Sequence, residues 1–121
     1  MDDWRNLILA GNQYFAIDEM EHAEDNYFDA LTLLDENSES LFTDREKLSA
    51  WLACHHNLAT VYKQSDQSEL ARFHLESPLE IIEVQLKKAS PDHHHFVELL
   101  KAYSAGLSEL VVFKQTAQRA A

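Results

Sequence analysis

Seven histidines, twenty-one carboxylates and one cysteine are the groups with catalytic or ligating potential in this 121-residue chain. His93, His94 and His95 are consecutive. Neighbouring side chains on a helix diverge by about 100° each, so three in a row cannot close on one ion. Asp18 with His22, and His94 with Glu98, have the four-residue spacing that sets two ligands on one helix face. Two ligands leave a site incomplete until a third arrives from another helix. The expectation is therefore no metal and no cofactor, with histidines that cap or decorate helices. Cys54 stands beside His55 and His56, a nucleophile next to two bases. On a helix these side chains point apart, which makes direct proton transfer poor, so a buried structural thiol is expected. Glu80 with Glu83, and Glu21 with Asp25, are helix-spaced carboxylates that read as solvated faces. No phosphate-cradling loop, nucleophile elbow or dinucleotide fingerprint occurs. The chain reads as a non-enzyme without catalytic residues.

The elements that position these groups are helical. Hydrophobic residues make up 45% and charged residues 26%, which is enough apolar material for a packed core. Two glycines and two prolines are too few for the turns of a sandwich or barrel. One cysteine excludes an intramolecular disulfide, a thiolate zinc cluster and a CxxC redox pair. The expectation is a single all-α domain, residues 1–121, of about five helices.

The first helix covers about 3–16, where Trp4, Leu7, Ile8, Gly11, Tyr14 and Phe15 recur at three- and four-residue steps. The second covers about 19–35, with Met20, Ala23, Tyr27, Ala30, Leu31 and Leu34 in phase. Asn37-Ser38-Glu39-Ser40 reads as a loop, and Thr43-Asp44-Arg45-Glu46 as a capping box opening a third helix to about 64. A fourth starts at Ser65 or Asp66 and runs towards Lys88, with a kink or fresh start at Pro78 because proline lacks the backbone donor. Asp92 is expected to cap a fifth helix that frays near Ala117, its apolar residues being Phe96, Leu99, Leu100, Tyr103, Leu107, Leu110 and Val111.

The net charge of −11 is concentrated at one end. Residues 1–40 hold eleven acids against Arg5 alone, and the other 81 residues hold ten acids against nine bases. Nucleic-acid backbones and anionic membranes are poor partners for such a chain, because Lys and Arg supply the affinity there. No apolar run reaches the length of a membrane span. Met1-Asp2-Asp3 has the wrong charge for a signal peptide, so a cytoplasmic location is expected.

Comparing the chain with itself exposes a repeat. Leu7-x2-Ala10-Gly11-x2-Tyr14 is followed by Ala23-x3-Tyr27-x2-Ala30, and Leu58-Ala59-x2-Tyr62 by Ala71-x3-Leu75. Small residues let antiparallel helices approach closely while aromatic residues fill the gaps between hairpins. This pattern resembles the tetratricopeptide repeat, a helix–turn–helix unit of about 34 residues. The resemblance places one repeat at about 4–37, a second at about 44–88 and a capping helix at about 92–117. The second copy departs from the pattern with His55 at the large apolar position that opens the motif and with Pro78 where the first copy has Ala30. The copies are 48 residues apart. The excess over the family period is close to four helical turns, which lengthens a helix without rotating its face.

What the resemblance implies is an adaptor or chaperone-like module that binds a protein or peptide on a concave face. Its partner-binding residues would be Arg5, Ile8, Asn12 and Phe15 from the first repeat and His56, Asn57, Thr60 and Lys63 from the second. Asn12 and Asn57 fall where relatives that grip a peptide carboxylate keep asparagines, but Ile8 replaces their lysine. The acidic half would attract a basic partner. Two readings from other classes stand beside this one: a histidine-based metal or small-molecule binder, and a purely structural homodimer. For the dimer, the crowded segments Leu79–Leu86 and Leu110-Val111-Val112-Phe113 make the C-terminal half the expected interface.

Overall fold

The computed structural model describes residues 3–36, 38–92 and 94–120. Six helices carry them: α1 (Asp3–Ala16), α2 (Met20–Glu36), α3 (Ser38–Leu41), α4 (Arg45–Gln64), α5 (Ser68–Lys88) and α6 (His94–Ala120). There is no strand among the described residues, so the class is all-α. Consecutive long helices pack as antiparallel neighbours, α1 on α2 and α4 on α5, and α6 lies against both α5 and α4.

The two hairpins turn by the same backbone device. After α1, Asp18 adopts a left-handed conformation (φ 64°) while Glu19 N–H donates to the Tyr14 carbonyl at 2.9 Å. After α4, Asp66 does the same (φ 62°) and Gln67 N–H donates to the Tyr62 carbonyl at 2.8 Å. This arrangement satisfies the last helical carbonyls, and aspartate tolerates the left-handed region better than most residues. Forty-eight residues separate each pair of equivalent positions, the offset read in the sequence. Ala23 and Ala71, fully buried, occupy the matching close-approach sites.

At Gly11 the space is fixed by Tyr27. A Cβ there would lie 2.7 Å from the ring atom Cε1, so glycine admits the aromatic ring between α1 and α2. Gly106 does the same for Leu79, whose Cδ2 would meet an added Cβ at 2.9 Å. The core runs from Trp4 through Trp51, Leu58 and Ile82 to Leu99 and Phe113 as one cluster.

Four sequence expectations are corrected. Asp44, not Thr43, caps α4: its carboxylate accepts from the backbone N–H of Glu46 and Lys47, while the Thr43 hydroxyl turns back to the Ser40 carbonyl. The segment read as a loop contains α3, with Asn37 outside the described residues. Pro78 neither ends α5 nor starts a new helix; it is buried inside one element. Its missing N–H leaves the His74 carbonyl without the usual helical donor, a local cost that packing offsets. Finally, α6 extends to Ala120. It opens at His94, and the residue that would sit between it and Asp92, His93, is outside the described residues.

Candidate functional site

The polar groups that α1 and α4 present side by side form the first candidate. Arg5 of α1 pairs with Glu46 of α4 and also lies 4.4 Å over the Trp4 ring. One helical stretch on, the Tyr27 hydroxyl donates to Asn12 Oδ1 at 2.6 Å, and Asn57 Nδ2 approaches the same oxygen at 3.5 Å. Burial raises the Tyr27 phenol to about 12, so it remains a donor. The two asparagines that sequence analysis singled out are thus brought together, 45 positions apart in the chain.

On its other side α4 faces α6 across an open cleft of about 430 Å³. Leu48, Leu52, His56, Ala102 and Ala105 line it, with Arg45, Glu98 and Lys101 as its charged residues. His56 Nε2 is buried and has no hydrogen-bond partner. Burial pushes the His56 pKa down, with Glu109 acting in the opposite sense, so the ring is neutral at neutral pH. A neutral imidazole nitrogen without a partner is a group that an incoming donor or acceptor would satisfy.

The remaining predicted positions behave differently. Thr60 spends its hydroxyl on the His56 carbonyl at 3.1 Å. Lys63 places its ammonium 6.0 Å from the Phe113 ring of α6. Ile8 and Phe15 are half-buried and pack on the core. Sequence reasoning did not place Glu98 or Lys101 at this cleft, because α6 carries no clear third copy of the repeat to signal that it borders it.

A second cluster was also missed. His55 and His74, both buried, set Nδ1 against Nδ1 at 3.0 Å. One nitrogen must donate and the other accept; with both rings held neutral by burial, they take opposite tautomers. Trp51 meets His55 edge-on, Tyr62 stacks on His74 at 5.6 Å, and Phe28 and Phe73 approach His74 edge-on. Burial first, then the neighbouring imidazoles of His74 and His56, lowers the His55 pKa to about 3. Burial also lowers His74, against the opposing pull of Glu24. That carboxylate is hydrogen-bonded to Tyr62, whose phenol is raised by burial and by Glu24 itself. The signal for this pair was present: His55 occupies an apolar repeat position, and His74 is in phase with Ala71, Leu75 and Pro78.

The nucleophile and metal patterns find other partners. The Cys54 thiol is fully buried and pushed up to about 12, which removes the thiolate needed for nucleophilic attack. His22 stacks on Tyr14 at 4.8 Å and lies 3.5 Å from Glu19 rather than joining Asp18. Glu98 pairs with Lys101, and Glu83 with Lys87. Among the described residues no three His, Cys, Asp or Glu side chains converge as a metal site, and no helix is long and apolar enough to cross a membrane.

Residues 2–119 match the family described as "Protein of unknown function (DUF2753)", and the chain belongs to that family. No curated protein and no solved structure matches it.

Proposed function

We propose that this chain is a cytoplasmic, non-enzymatic protein–protein interaction module, adaptor-like in character, that binds a peptide or protein segment along the face shared by α1, α4 and α6. The single observation that carries the reading is the cleft between α4 and α6, where His56 keeps a buried nitrogen without a partner. Buried polar groups are rarely left unsatisfied, and a small adjustment of the His56 ring, which lines the cleft, would turn this nitrogen towards a ligand. The converging amides of Asn12 and Asn57 add backbone-recognition chemistry beside it, as the resemblance to tetratricopeptide repeats implies. A basic segment suits the partner, because residues 1–40 carry eleven acids against one base, six of those acids on α2 beside α1 and α4.

Capture from the native cell with the full chain as bait tests this reading. A partner retained by the parent protein and by Asp29→Ala on the exposed side of α2 should be lost with Asn57→Arg. Its association should slow as salt is raised. An identical captured set for the parent and for Asn57→Arg would overturn the assignment of the face.

A further inference from the structure

The apolar residues of α6 fall on two faces, as the apolar crowding of its sequence suggested. Leu99, Leu110 and Phe113 are buried against the rest of the fold. Val97, Leu100, Leu107 and Val111 are each between 42% and 48% exposed. With exposed Ser104 they recur at steps of three, four, three and four residues. That is the seam spacing by which one helix packs along another, and it is narrower than the broad apolar face of a membrane-lying helix. The occupant of this stripe is a helix.

The pattern also reads nearly the same in both directions about Ser104. Val97 and Val111 lie seven residues to either side, and Leu100 and Leu107 lie four before and three after. We propose that α6 pairs antiparallel with α6 of a second copy of this chain, the two helices crossing at Ser104 to form a two-fold homodimer. In that crossing the outer valines meet one another, the leucines meet one another, and two small serines at the axis let the backbones approach closely. A two-fold axis demands such self-complementarity of a single patch, and a hetero-partner would not.

Charge selects the same face. Residues 94–120 hold Glu98 and Glu109 against Lys101, Lys114 and Arg119, whereas residues 1–40 would repel their own copy. The other exposed apolar row, Leu70, Phe73, Ile81 and Val84 on α5, lies among four glutamates and three bases, with Arg72–Glu76 and Glu83–Lys87 paired along the helix, and has no counterpart of the symmetry about Ser104. Ala102 and Ala105 of α6 line the cleft towards α4, away from the stripe, so pairing leaves the cleft open. The dimer therefore does not depend on the binding role proposed above.

Sedimentation of the untagged chain at micromolar concentration is expected to give twice the 13.9 kDa of one chain. A single 13.9 kDa species would overturn the proposal. Leu100→Glu combined with Leu107→Glu should keep the helical circular dichroism, since both side chains are exposed. The double change should weaken association by about 100-fold or more. A dimer indifferent to it would place the interface elsewhere and refute the assignment. Orientation has its own readout. Ser104→Cys should oxidise to a disulfide-linked dimer, with the native Cys54 silent because it is buried. Val97→Cys should link to Val111→Cys in mixed samples and not to itself, whereas self-linking Val97→Cys would mean a parallel pair and sink the antiparallel crossing.

Discussion

Acidification should unfold this protein through His55 and His74, and the size of the effect follows from their burial. In the folded chain the two rings share one hydrogen bond at 3.0 Å inside a shell of Trp51, Tyr62, Phe28 and Phe73, and His55 has a pKa of about 3. In the unfolded chain each ring returns to about 6.5. Below that value the unfolded state binds more protons than the folded state, so stability is lost as pH falls. Each pH unit is worth about 1.4 kcal/mol per group, so moving from about pH 7 to about pH 5 removes about 2 kcal/mol through His55 alone. The result depends little on the folded value as long as that stays well under 5. His74 adds to the loss, moderated by Glu24 on α2. Asp35 titrates in the opposite sense, because burial raises its carboxyl despite a hydrogen bond from Trp51. Urea titrations at the two pH values should show the midpoint falling for the parent chain. His55→Leu with His74→Leu should reduce that dependence to what the remaining groups contribute, chiefly His56, whose pKa burial also lowers. A parent chain as stable at the lower pH, or a double variant that follows the parent, would refute the buried neutral pair.

Gly11→Leu should cost about 3 kcal/mol or more, because even a Cβ would sit 2.7 Å from Tyr27 Cε1, whereas Gly11→Ala should cost less; denaturant midpoints that do not move would contradict this packing. Asp44→Ala removes the carboxylate that caps α4 at the N–H groups of Glu46 and Lys47 and should lower stability by about 1 kcal/mol, with Thr43→Ala nearly neutral. Zinc or nickel should leave the melting temperature of untagged protein almost unchanged, since no three ligands converge among the described residues. Stoichiometric metal in protein purified without a tag would contradict that expectation.

Helix positions were legible because apolar spacing is a local signal, and the repeat was legible because Gly11, Tyr14 and Ala23 recur as Ala59, Tyr62 and Ala71. The cap of α4 was misread by one residue: Thr43 and Asp44 are both good caps, and only backbone conformation decides between them. Pro78 was read as a kink or a fresh start because its local cost is certain; the fresh start does not occur, since the burial that offsets the cost comes from other helices.

The same limit explains what happened to the functional residues. Asn12 and Asn57 share a phase in the repeat, but only the fold brings their amides within 3.5 Å of each other. His55 looked like a blemish in an otherwise apolar pattern, and His74 drew no notice at all. A lone histidine at such a position carries an unsatisfied nitrogen; two of them, nineteen residues apart on adjacent helices, satisfy each other. The substitution in α4 therefore makes physical sense only with its partner in α5, and changing either one alone leaves a buried nitrogen without its bond. His55→Leu and His74→Leu should each destabilise the chain more as single changes than simple addition to the double variant allows. That sign of coupling, measured in a double-mutant cycle, distinguishes a mutually required pair from two histidines that merely happen to be buried.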